Sequence, residues 1–423
     1  MNRYHRGLPR ATAVVAIAAI VAVGFQAAHA ATGQRQLGAT APRGQHLTRA
    51  AVTYAGPALK SPSFSIVEYA DAGSGPSCTG GADSIDEFSS SGGAPIQNFK
   101  TTANECAAYF GSNYLAGGIN PKGAFCIVLA DVNAGAAPGN WDSFIVDKSN
   151  GNITAQASTK PDTYKIGKTI VSGTPSDVQA VPNSQQFVGS DVTGNLELIA
   201  LNPKTCAIKS IKGAAGGSTM INSTIVPDTA HPGRYDAVAS DAGANAVQTF
   251  TLTPFKHTNT TAASVAGGAD GIYSAGNTIA TGSAQTTSQL EVGSSSAPGG
   301  TSWSALASDP NGYNTSDVLL IGACLWGGNE GGTSPTTVSS FTPPGYGLNN
   351  SQPVLNGSPY VGPMTQVPLG GGTNGLLVDN VATGVLDLSV LGSDHCTMGA
   401  FTPFASFTDP NGYSAGMLAA ALP

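Results

Sequence analysis

Short apolar runs rich in Val, Ile, Leu and Phe alternate along this chain with clusters of Gly, Asn, Asp, Ser, Thr and Pro, and amphipathic helical periodicity is almost absent. That pattern predicts many short strands joined by turns. Several of the runs repeat. Ser65 to Asp71, Cys126 to Asp131, Gln186 to Asp191 and Ala237 to Asp241 are each a strand-like run closed by Asp and followed by a turn, with the Asp positions spaced 60, 60 and 50 apart. Leu376 to Asn380 is a related run 138 residues beyond Asp241, which leaves room for two more units at Thr278 to Gly282 and Val318 to Gly322. Seven unit starts between positions 71 and 379 give a mean period of about 51, at the long end for propeller blades. A second strand and another turn follow the starts, as in Asn195 to Leu201 before Asn202-Pro203 and Ala246 to Leu252 before Thr253-Pro254. A unit of this kind cannot bury both its faces alone, so the units must stack in a ring. The expectation is an all-β chain, a β-propeller of seven four-stranded blades over 61–423, with the strand near Phe64 to Tyr69 helping to close the last blade.

Asp309-Pro310-Asn311-Gly312 and Asp409-Pro410-Asn411-Gly412 are turn sequences 100 residues apart, read as the same hairpin corner in two blades. The run Val238-Ala239-Ser240-Asp241-Ala242-Gly243-Ala244-Asn245-Ala246-Val247 resembles the repeats of YVTN-type and lactonase-like seven-bladed propellers. Asp83 to Ser89 leading to Gly92-Gly93-Ala94-Pro95 is similar to the outer hairpin of a blade in that group. The likeness covers roughly 62–400 and is patchy, with the fifth and sixth units departing from it. It implies a fold more than an activity; what it adds is a lactonase-like hydrolysis of small sugar lactones as one reading of function.

The ends and the composition narrow the setting. Arg3, Arg6 and Arg10 precede an apolar stretch from Ala11 to Phe25, and Ala28-His29-Ala30 offers small residues for cleavage. Residues 1–30 are therefore expected to be a Sec-type signal peptide, with a secreted product beginning at Ala31 and no membrane span after processing. Residues 31–60, basic and without a hydrophobic period, read as a flexible leader. Past residue 30 the chain has 15 basic and 25 acidic residues, a charge of −10, which argues against nucleic acid as a partner. All six cysteines lie in that part, an even count suited to disulfides in an oxidising compartment, with 15 connectivities open.

Candidate chemistry is sparse. Gly412-Tyr413-Ser414-Ala415-Gly416 matches a nucleophile elbow, but no acid or His follows it. Gly167-Lys168-Thr169 lacks the earlier Gly of a phosphate loop, so Lys160, Lys165 and Lys168 read as a solvated hairpin face. Neither Cys nor His shows metal-ligand spacing, so no metal and no cofactor is expected. Asp228, His231 and Arg234 stand within seven residues before a unit start, where a base oriented by a carboxylate and a cation polarising a carbonyl would suit lactone opening at the axial mouth. Cys324 to Gly332 reads as a Gly-rich loop in which Trp326, Asn329 and Glu330 offer an aromatic plate, an amide and an acid that suit a sugar ring. The main expectation is a secreted, monomeric ligand-binding or scaffolding propeller for a small molecule or carbohydrate; the alternative is the lactonase-like hydrolase.

Overall fold

The apolar runs become strands in groups of four. The computed structural model describes residues 123–131, 138–147, 152–283, 288–309, 317–329, 337–355, 364–380 and 385–406, with the strands Ser65–Ala70, Ser84–Ser89, Gln97–Lys100, Ala107–Ser112 and Gly416–Ala419. The signal and leader expectations lie outside these residues. Seven antiparallel four-stranded sheets form. Six of them take their strands in sequence order: blade 1 (107–161), blade 2 (175–215), blade 3 (220–262), blade 4 (269–309), blade 5 (317–353) and blade 6 (364–406). The seventh combines both ends of the chain, with Gly416–Ala419 as its first strand and Ser65–Ala70, Ser84–Ser89 and Gln97–Lys100 as its second to fourth. The first strands of successive blades pack against one another all the way round, Gly416–Ala419 touching those of blades 6 and 1. Closure through the strand near residue 65, and the outer hairpin beginning at Ser84, are thus as the sequence led us to expect.

The repeat frame differs from that expectation by one strand. The runs that end in Asp are second strands: Tyr235–Asp241 lies between Met220–Pro227 and Ala246–Leu252. At blade 5 the strand-then-Gly pattern selected the wrong strand. Asp317–Ile321 is a first strand, joined by a tight turn with Gly322 at φ 61° to the true second strand, Cys324–Gly328. Glycine, with no Cβ, adopts that region at least cost, so here the Gly marks an inner hairpin turn rather than the end of a second strand. The first Asp-Pro-Asn-Gly sequence begins at Asp309, the last residue of the fourth strand of blade 4 and so at the exit from the blade; residues 310–312 and the whole second sequence, 409–412, lie outside the described residues.

Middle strands are buried on both faces because each blade is covered by two neighbours, so Asn195–Leu201 is almost wholly apolar and enclosed. Fourth strands line the periphery and alternate, as in Thr301–Asp309. The core lies between blades: Val128, Trp141, Val178, Phe187 and Ile199 fill the space between blades 1 and 2. Two disulfides staple neighbouring blades in the same manner. Cys126 on the second strand of blade 1 joins Cys206 in the turn before the fourth strand of blade 2, and Cys324 of blade 5 joins Cys396 in the corresponding turn of blade 6. Cys78 and Cys106 lie outside the described residues.

The repeated Asp works as a brace. Asp241 accepts hydrogen bonds from the N–H groups of Ser218, Thr219 and Ala244, from Ser218 Oγ and from Gln248 Nε2, tying its turn to the connection entering the blade. Asp191 does the same in blade 2 with the N–H groups of Thr174 and Thr193. Between blades 1 and 2 the connection grows into an extra hairpin, Thr163–Ile166 with Thr169–Ser172, whose Lys165 and Lys168 are exposed. Lys160 is half-buried, and its Nζ donates to Lys209 O at 3.3 Å.

Candidate functional site

Asp228, His231 and Arg234 occupy the turn that leaves the first strand of blade 3, not a loop that enters it, because of the one-strand shift in frame. The turn builds itself locally. Asp228 Oδ1 accepts the N–H groups of Ala230 and His231, and Arg234 N donates to His231 O, so Pro232 and Gly233 (φ 86°) reverse the chain. This places Asp228 Oδ2 2.8 Å from His231 Nδ1. Asp228 is buried while the His231 side chain is 58% exposed, which leaves Nε2 as the nitrogen open to proton exchange. Burial pushes the Asp228 carboxyl up, but the imidazole and the two N–H groups outweigh it and hold it below its ordinary value. Arg234 is exposed, three residues on in the same turn. Thr229 bonds through N and Oγ1 to Ala297 O, in the turn before the fourth strand of blade 4. These bonds lead the loop sideways toward the neighbouring blade's periphery, where the sequence reading had put it at the axial mouth.

The second expected group does not assemble as a sugar platform. Trp326 belongs to the second strand of blade 5 and is fully enclosed among Leu319, Ile321, Val338, Leu376 and Val378, with no ring face left for a ligand. A strand read as a loop is the cause. Asn329 is buried and donates from Nδ2 to Asp309 Oδ2 (3.1 Å) and Thr337 Oγ1 (2.8 Å), a brace for the connection from blade 4. Glu330 lies outside the described residues.

The sequence reading missed a buried acidic group between blades 1 and 2. Asp162 follows the fourth strand of blade 1, Asp191 closes the second strand of blade 2, and Glu197 faces Gly189 from the third strand of that blade. All three are fully buried, with carboxylate oxygens within 4.8 Å of one another. Trp141 Nε1 donates to Glu197 Oε2 at 2.9 Å, and the Tyr164 hydroxyl donates to Asp191 Oδ2 at 2.6 Å. Burial, followed by the neighbouring Asp162 charge, drives Glu197 well above its ordinary range; burial likewise raises Asp191 and pushes Asp162 up to about 7. One signal for it was present: Glu197 is the single charge in the apolar run Asn195–Leu201.

Neither a family model nor a curated protein sequence matches the chain. Solved structures do. The periplasmic gluconolactonase of Pseudomonas aeruginosa superposes with a TM-score of 0.61 at 12% identity, over 85% of this chain and 100% of that one. A candidate 6-phosphogluconolactonase of Bacteroides fragilis gives 0.59 at 13% identity, over 86% and 99%. One from Bacteroides uniformis gives 0.59 at 12% identity, over 85% and 100%. The chain has a lactonase-like seven-bladed propeller fold. At these identities the likeness extends to architecture alone, so the chemistry of this lactonase-like propeller has to be argued from its own side chains.

Proposed function

We propose that this lactonase-like propeller is a hydrolase of small sugar lactones working outside the cytoplasm. The observation that carries the reading is the Asp228–His231 pair, an imidazole oriented by a buried carboxylate and open to solvent on its other nitrogen. His231 Nε2 takes a proton from water as the water oxygen attacks the lactone carbonyl, and Arg234 draws charge onto the carbonyl oxygen. The ring C–O bond then breaks, and the leaving alkoxide receives the proton from the imidazolium. Two inter-blade disulfides support the extracytoplasmic setting. The rival reading, a ligand-binding or scaffolding propeller, rests on the exposure of residues 229–234 around the imidazole, which walls off no water.

The test is hydrolysis of a panel of sugar and aliphatic lactones by the mature protein and by His231→Ala. Proton transfer of this kind contributes about 10²–10⁴-fold, so the variant should lose activity on that scale. Normal turnover in the variant removes His231 from the mechanism. No turnover by the parent on any lactone leaves the binding propeller standing.

A further inference from the structure

From Asp162, Asp191 and Glu197 we infer a binding site for a hard divalent cation, calcium foremost, that clamps the inserted hairpin and blades 1 and 2 together. Three observations carry it. By hydrogen-bond geometry neither oxygen of Asp162 nor Oε1 of Glu197 has a donor, although both side chains are fully buried; the Trp141 indole, which faces both acids, gives its hydrogen bond to Glu197 Oε2. Asp191, by contrast, is satisfied by Tyr164, Thr174 and Thr193. The free oxygens therefore belong to the two acids that face each other, and the Asp228–His231 ion pair lies elsewhere. Buried negative charge is costly, so these acids either hold a proton between them or face a cation, and the uncommitted oxygens suit the cation.

The second observation comes from the repeat. Glu197 pairs with the residue two before the end of its neighbouring strand, and Glu291 in blade 4 and Asp387 in blade 6 hold the same position. There the entering connection supplies an N–H: Ser264 N donates to Glu291 at 2.7 Å and Leu355 N to Asp387 at 3.2 Å. In blade 2 the entering connection presents Asp162, an acceptor where its counterparts present a donor.

The third is spacing. Two ligands of one calcium ion, each about 2.4 Å from it, lie no more than about 4.8 Å apart. The carboxylate oxygens here meet that limit, at 4.8 Å or less from one another. An all-oxygen set with an uncommitted carboxylate able to bind through both atoms favours calcium over softer metals and over magnesium. Gly173 keeps the space: a Cβ there would come within 2.8 Å of Asp191 Oδ2 and closer still to Asp162 Oδ2. No local motif announced the site because its ligands come from a connection, a strand end and a strand middle.

The test uses the mature protein after chelator treatment and dialysis. Equilibrium dialysis with calcium chloride should find one tightly held ion. Added calcium should raise the melting temperature by several degrees and change the emission of Trp141, whose indole is bonded to Glu197. Asp162→Asn and Glu197→Gln should lose all three responses, while Asp228→Asn keeps them. Both amide variants remove buried charge without changing size, so circular dichroism and melting in chelator check that they fold. An absence of bound calcium and of any shift in the parent overturns the site and leaves Asp162 and Glu197 sharing a proton. The same shift in parent and variants overturns it equally.

Discussion

Replacing Asp241 by Ala tests whether the repeated Asp is a structural brace. The carboxylate is fully buried and takes five hydrogen bonds, from Ser218 N (3.0 Å), Thr219 N (3.0 Å), Ala244 N (3.1 Å), Ser218 Oγ (2.9 Å) and Gln248 Nε2 (2.9 Å). Not all are equally costly to lose. Ser218 and Ala244 are exposed, so water can take over their N–H groups, whereas Thr219 and Gln248 are buried and have no such recourse. At about 1–3 kcal/mol for each buried donor left unsatisfied, the two sum to about 2–6 kcal/mol. With an unfolding entropy near 2 cal/mol/K per residue, a cooperative unit of several hundred residues shifts by about 1–2 °C per kcal/mol. Calorimetry should therefore show a fall of about 2–12 °C, and hydrogen exchange should be faster at the Thr219 amide. Asp241→Asn should fall in between. Its oxygen can still serve Thr219 and Ala244 from the Oδ1 side, but its NH₂ then meets the Ser218 and Gln248 donors, and Gln248 cannot turn over without giving up Thr260 and His257. An Ala variant melting within about 1 °C of the parent, or below it the Asn variant, would refute the brace.

Gly189→Ala should destabilise the protein by about 1–3 kcal/mol through overpacking. Its Cβ would clash with Cη2 of the fully buried Trp141, and the loss should shrink in a Trp141→Phe background if that clash is the cause. Asp177, fully buried against Ser223, is pushed up to about 6 from 3.8 by burial, so its contribution to stability is complete below pH 4 and is lost as pH rises through 6. At about 1.4 kcal/mol per pH unit that is about 3 kcal/mol, and melting temperatures from pH 4 to 7.5 should fall more steeply in the parent than in Asp177→Asn; equal slopes refute it. The Cys126–Cys206 bond spans 80 residues, so replacing both by Ala should cost about 4–5 kcal/mol on the chain-entropy account. Thiol titration of the denatured, unreduced protein should find few free groups, and six reactive thiols would contradict the disulfides.

The sequence by itself determined the architecture. Strand-length apolar runs, turn residues between them and a period near 51 left stacking in a ring as the way to bury both faces of each unit. Even the closure by the strand at residue 65 was among the expectations. Phase was a different matter. An Asp-ended run looks the same whether it is the first or the second strand of its blade, and only the pairing of Tyr235–Asp241 with a strand on each side decided it. That one choice moved His231 from an axial entry to a turn beside blade 4, and Trp326 from a loop to the core. The buried acids show the deeper limit. Asp162, Asp191 and Glu197 meet because an inserted hairpin, a strand end and a strand middle from adjoining blades converge on one dry interior. Local spacing encodes turns and strands, which depend on neighbours in the chain; burial of charge depends on which blade lies across the gap, and only the closed ring sets that.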